Sequence, residues 1–102
     1  MSGNQVWSRR LKEAREAIGL SQKQLGIEAG LDPSVASTRI NRYELGVHKA
    51  DYQISQKLAE VLKVPVAYLY ADDDALAEII RWYGQADAGQ RERLMKVMAG
   101  PA

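Results

Sequence analysis

Short polar side chains and two arginines are concentrated in one stretch between residues 34 and 42. They carry hydroxyl, amide and guanidinium groups: Ser34, Ser37, Thr38, Arg39, Asn41 and Arg42. Groups of these types form hydrogen bonds with base edges and with phosphates. Between them Ala36, Ile40 and Tyr43 recur at i, i+4 and i+7, which predicts a helix with this apolar stripe buried. We expect the polar side chains to face outward.

The residues before this stretch predict a second helix and a tight turn that would position the polar face. Ser21 is a good N-cap because its hydroxyl can accept a backbone N–H left free at a helix start. Gly30 can adopt the positive φ that ends a helix. Asp32 is then predicted to cap the following helix, with Pro33 at its first position, where a missing N–H costs nothing.

The run LKEAREAIGLSQKQLGIEAG followed by INRYELG resembles the Cro and lambda-repressor type of helix-turn-helix, the XRE family of bacterial and phage regulators. The segment LAEVLKVPVAYLY extends the resemblance, which covers roughly residues 6–70. It implies an all-α fold: a five-helix lambda-repressor-like DNA-binding domain over residues 1–70. Residues 71–102 would add two C-terminal helices that pack on this domain or dimerise.

The resemblance also implies roles for individual residues. Ser34, Ser37, Thr38, Arg39 and Asn41 are expected to face the bases of double-stranded DNA, and Gln22, Lys23, Arg42 and Lys49 its backbone. Arg15 is expected to form a partly buried ion pair with Glu44 that fixes the third helix against the first.

The chain departs from the family pattern at two places near the turn. Gly26 stands where Ala is usual, and we expect it to permit close approach of two helices. More residues than usual separate Gly30 from Ile40, which leaves open which of residues 34–38 first reaches the bases.

Helical periodicity and capping residues predict the remaining elements. A first helix is expected from about Val6 to Ile18, a fourth from the cap Asp51 to Leu62, with Tyr52 among its inward residues, and a short fifth from Pro65. Two more are predicted, one from Asp74 to Tyr83 and ended by Gly84, and one beginning at Asp87 or Ala88.

Composition narrows the class of protein. The chain has 102 residues and 46% apolar content, which suits one helical domain. It has no cysteine, its single histidine, His48, has no partner at ligand spacing, and we expect neither a metal nor another cofactor. Because no apolar run approaches the roughly 20 residues of a membrane span, and the N-terminus lacks signal-peptide features, we expect a cytoplasmic, nucleoid-associated bacterial or phage protein without membrane contact.

Charge is distributed unevenly although the net charge is only +1. Residues 1–50 carry eight Lys and Arg against five Asp and Glu, whereas residues 51–102 carry six against eight. The positive half contains the predicted DNA-binding elements, which fits a surface that faces DNA.

These observations bear on three classes of function. The leading one is a sequence-specific DNA-binding transcriptional regulator, a repressor, acting as a homodimer because one short helix contacts too few bases to be selective. The alternative is an antitoxin-like module whose residues 72–102 bind a partner protein. An enzyme is disfavoured because no nucleophile–base pair and no Gly-rich phosphate loop are present.

Overall fold

The computed structural model describes residues 3–101, and it describes side chains from residue 5 onwards. All the regular secondary-structure elements in this range are helical, as predicted. The elements are α1 (Gly3–Ala17), α2 (Gln22–Glu28), α3 (Ala36–Glu44), α4 (Tyr52–Leu62), a 3-10 helix (Val66–Tyr70), α5 (Asp74–Gln85) and α6 (Ala88–Ala99). Residues 3–101 include no helix that combines the length and the apolar character of a membrane span.

Helices α1 to α4 and the 3-10 helix share one apolar core. Its fully buried side chains come from all five elements: Leu11, Leu25, Ile40, Leu58, Leu62 and Leu69. Ser55 is buried with them, and its hydroxyl accepts hydrogen bonds from Trp7 Nε1 at 3.2 Å and from the Tyr70 hydroxyl at 3.1 Å. The same hydroxyl donates to the carbonyl of Asp51 at 2.9 Å, so this polar group is satisfied inside the core.

Two of the predicted helix starts agree with the structure because a side chain caps the helix locally. Ser21 accepts a hydrogen bond from the backbone N–H of Gln24, and the Gln24 side chain accepts from the Ser21 N–H, which completes a capping box. Asp51 accepts from the N–H of Ile54 at the start of α4. Tyr52, predicted to face inward, is instead 57% exposed.

The predicted start of α3 is wrong. Asp32 does not cap this helix and Pro33 is not its first residue; α3 begins at Ala36 with Val35 as N-cap. The Asp32 carboxylate instead accepts from the backbone N–H and the hydroxyl of Ser34, at 2.8 and 2.6 Å. The carboxylate is thus used in a turn over residues 32–35, which precedes α3 and is closed by the Val35 N–H donating to the Asp32 carbonyl at 3.0 Å.

The C-terminal elements differ from expectation in two details. The predicted fifth helix is a 3-10 helix, with Pro65 as its N-cap rather than its first residue. Gly84 does not end α5, which continues to Gln85. It lies against Pro65, where a Cβ on Gly84 would be 2.5 Å from the proline Cδ, so the glycine is required by close packing of α5.

Candidate nucleic-acid interface

The close contact between α2 and α3 sets the position of the polar helix. A Cβ built on Gly26 would lie 2.7 Å from Ala36 Cβ and 3.0 Å from the Ala36 carbonyl oxygen. Ala36 is completely buried, so no exposed side chain could move aside to make room. Helix α3 therefore packs on α2 at a distance that only glycine permits at this position.

A network of charged and polar side chains joins α3 to α1 and α2. The Arg15 guanidinium donates to both carboxylate oxygens of Glu44, from Nε at 2.6 Å and from Nη2 at 3.0 Å. It also donates to the carbonyl of Leu20 at 3.0 Å. The side chains of Arg15 and Glu44 are 13% and 3% exposed. The hydrogen bonds to Glu44 raise the pKa of Arg15 above its ordinary value, although burial opposes the shift.

Gln22, at the first position of α2, extends this network to the polar face. Its Nε2 donates to Glu44 Oε1 at 3.1 Å and to Asn41 Oδ1 at 3.2 Å. The amide of Gln22 therefore connects the start of α2 to the middle of α3. This contact holds the side-chain oxygen of Asn41, Oδ1. The Asn41 side chain, which also carries the amide nitrogen Nδ2, is exposed to solvent.

The exposed side of α3 carries the predicted polar residues. Ser37, Thr38, Asn41 and Arg42 are exposed, while Ala36, Ile40 and Tyr43 are buried on the opposite side. Helix α3 thus presents a row of small polar groups and one guanidinium to solvent. Such a surface can donate and accept hydrogen bonds at base edges and phosphates.

Ser34 is exposed but lies outside α3, and Arg39 is less exposed than the other polar residues of this face. Ser34 precedes α3, and its hydroxyl already donates to Asp32. Arg39 is only partly exposed; its Nη2 donates to the Tyr43 hydroxyl at 2.7 Å, and its guanidinium lies 5.8 Å from the centre of the Tyr43 ring. Arg39 therefore stands at the edge of the polar face rather than in its middle.

Two lysines flank α3 along the chain. Lys23 is exposed in the first turn of α2, and Lys49 is exposed in the segment between α3 and α4. In the sequence, Lys23 precedes the polar residues of α3 and Lys49 follows them. Together with Arg42, these lysines supply positive charge. Side chains of this kind contribute the electrostatic part of DNA binding.

Arg10 positions a helix, although no role was predicted for it from the sequence. This residue lies on the inward stripe of α1 and is 3% exposed; its Nε donates to the carbonyl of Ala71 and its Nη2 to Asp74 Oδ1, both at 2.9 Å. Hydrogen bonds from Arg9, which has the larger effect, and from Arg10 lower the pKa of Asp74 below its ordinary value. Arg10 therefore fixes the start of α5 to α1. An arginine among the apolar residues of a helical stripe was the available signal.

This geometry defines a structural class of protein, in which two short helices pack at a glycine and the second helix exposes a polar side. The family model for the helix-turn-helix, HTH_3, matches residues 11–69. Among solved structures, a transcriptional regulator, BswR, is similar with a TM-score of 0.86 and 40% sequence identity, over 92% of this chain and 93% of that one. No match was found among curated proteins. The chain belongs to the helix-turn-helix family of DNA-binding transcription regulators, of the XRE type.

Within residues 3–101 no three His, Cys, Asp or Glu side chains are grouped so that they could hold a metal ion.

Proposed function

We propose that the protein is a sequence-specific repressor that inserts α3 into the major groove of double-stranded DNA. In this mechanism Ser37, Thr38 and Asn41 contact base edges, and Ser34 and Arg39 contact DNA at the margins of the same surface. The observation that carries the proposal is the exposed polar row on α3, held by a buried Arg15–Glu44 pair. Bound at a promoter, the protein would block transcription. We propose that its activity is DNA binding rather than catalysis. We also propose that it acts in the bacterial cytoplasm, on bacterial or phage DNA.

Gln22, Lys23, Arg42 and Lys49 are proposed to contact the DNA backbone. Gln22 lies at the N-terminus of α2, where free backbone N–H groups and the helix dipole favour a phosphate. The other three are exposed cations. If a dimer uses these three cations on each subunit, about six phosphates are neutralised. The logarithm of the binding constant should then fall with the logarithm of salt concentration with a slope of about −5.

We further propose that the protein acts as a homodimer through α5 and α6. Six large apolar side chains on these two helices remain between 42% and 77% exposed: Leu76, Ile79, Trp82, Met95, Val97 and Met98. No residue of α6 is buried. Large apolar side chains exposed on two consecutive helices favour an interaction surface there, and a two-fold dimer would present two recognition helices about 34 Å apart, on successive major grooves.

The experiment that tests this function selects bound duplexes from a random-sequence pool and titrates the best one at several salt concentrations. We expect a palindromic site and the salt slope given above. Asn41→Ala should weaken binding about five-fold or more, because a bidentate amide–adenine contact contributes about 1–3 kcal/mol. Gln53→Ala, an exposed residue of α4, is the matched control. Binding that does not depend on salt, or that is equal for both variants, would contradict the proposal.

A separate measurement tests the assembly. Ile79→Lys should convert a dimer to a monomer in sedimentation, whereas Val47→Lys, an exposed apolar residue outside α5 and α6, should leave the mass unchanged. If the wild-type protein is monomeric alone but purifies from its native cells with one stoichiometric partner on residues 72–102, the antitoxin-like alternative replaces the homodimer.

A further inference from the structure

Val35 breaks a local rule at the tip of α3. It is the N-cap of this helix, and its side chain makes no capping hydrogen bond. Ser, Thr, Asp and Asn are the stabilising choices at this position, and an apolar residue there forfeits about 1 kcal/mol. By contrast, α2, α4, α5 and α6 are capped by a Ser or Asp side chain.

Packing does not account for this valine. Its neighbour Ala36 is fully buried and belongs to the apolar core, whereas Val35 is 41% exposed and does not contribute to that core. An apolar side chain that neither caps the helix nor packs in the core lowers the stability of the fold, and no contact that it makes in the core offsets this loss. Positions that break local rules in this way are expected at functional sites.

The location of Val35 indicates what it would contact. In helix-turn-helix proteins the N-terminal residues of the recognition helix are those that meet base edges. Val35 precedes the exposed hydroxyls of Ser37 and Thr38 on the same helix. The one apolar group that a base pair presents in the major groove is the C5 methyl of thymine.

We propose that Val35 reads a thymine methyl group and so determines part of the sequence specificity. This inference rests on the proposed function, because it requires α3 to enter the major groove. It adds an apolar contact to the polar contacts of Ser37, Thr38 and Asn41. The target site should therefore contain a thymine that is selected by its methyl group rather than by a hydrogen bond.

The test compares thymine with uracil, which differ only in that methyl. The duplex that the wild-type protein selects from random-sequence DNA is synthesised with deoxyuridine in place of each thymine in turn. At one position per half-site the substitution should weaken wild-type binding about three- to five-fold, the value of burying one methyl group. Val35→Ser should bind the thymine and uracil duplexes equally.

The variants also separate this contact from a structural role. Val35→Ser supplies a capping hydroxyl, so its Tm should rise by about 4–8 °C while its affinity for the thymine duplex falls. Val35→Thr keeps one methyl and should retain part of the thymine preference. Leu45→Ser removes an apolar side chain that is even more exposed, 67% against 41%, at the opposite end of α3 and should keep the full preference.

The possible outcomes distinguish the inference from the function beneath it. If the wild-type protein binds no duplex in a salt-dependent manner, the proposed function fails and the inference fails with it. If it binds well but no uracil substitution weakens binding, or if Val35→Ser keeps the thymine preference, only the inference is overturned. A lower Tm for Val35→Ser would overturn the premise that this valine does not stabilise the fold.

Discussion

Gly26→Ala should destabilise the protein, although the same substitution in most helices would stabilise it. In a helix interior, alanine is favoured over glycine by about 0.5–1 kcal/mol. At residue 26, however, the new methyl would lie 2.7 Å from Ala36 Cβ, and carbon atoms pack at about 3.5–4.0 Å. Helices α2 and α3 would have to separate by about 1 Å.

The expected magnitude follows from these opposing effects. Overpacking a core costs about 1–3 kcal/mol, and the helix propensity gain offsets part of it, which leaves a net loss of about 1–2 kcal/mol. For a domain of this size the Tm should fall by about 5–15 °C in calorimetry. DNA affinity should fall as well, because α3 moves relative to Gln22 of α2, which contacts Asn41 and Glu44.

Gly89→Ala is the matched control. This glycine lies in α6, and the nearest atom to a new Cβ would be Asp87 Oδ1 at 3.4 Å, an ordinary contact. We expect no loss of stability in this variant. A Gly26→Ala protein as stable as the wild type, or more stable, would refute the packing argument for α2 and α3.

Three further variants test the charged and capping groups. Glu44→Gln leaves the guanidinium of Arg15 buried without its carboxylate, and urea unfolding should show a loss of about 3 kcal/mol; a loss below 1 kcal/mol would contradict the role of the pair. Asp51→Ala removes the cap of α4 and should cost about 1 kcal/mol, whereas the exposed Asp72→Ala should cost almost nothing. Asp74 has a pKa lowered in the folded state, so its contribution is present above about pH 4 and is lost as the pH falls through the lowered pKa. The Tm difference between wild type and Asp74→Asn should therefore be largest near neutral pH and shrink in acid; a difference independent of pH would contradict this.

The features that sequence could predict are those with a local cause. Ser21 and Asp51 cap helices through atoms three residues away, and the buried residues of α3 recur with helical period. These interactions depend on neighbours in the chain, so the order of helices and the polar side of α3 followed from the sequence alone.

The features that it missed depend on competition or on distant contacts. The Asp32 side chain could either cap a helix or close a turn with Ser34, and in the structure it closes the turn. The position of Arg10 on the apolar stripe of α1 signals burial, but its partners Ala71 and Asp74 lie more than 60 residues away, and no local pattern identifies them. The Arg39 guanidinium donates to the Tyr43 hydroxyl on its own helix. An arginine is suited to DNA contacts, but its residue type alone does not predict the orientation of its side chain.

The central claim is that the exposed side of α3 is the surface that binds duplex DNA. Backbone amide chemical shifts, recorded while the selected duplex is added, test it most directly. We predict that the largest changes fall on residues 34–42 and on the first turn of α2, with small changes on α4. Large changes confined to α4 or α5, with α3 unaffected, would contradict the account.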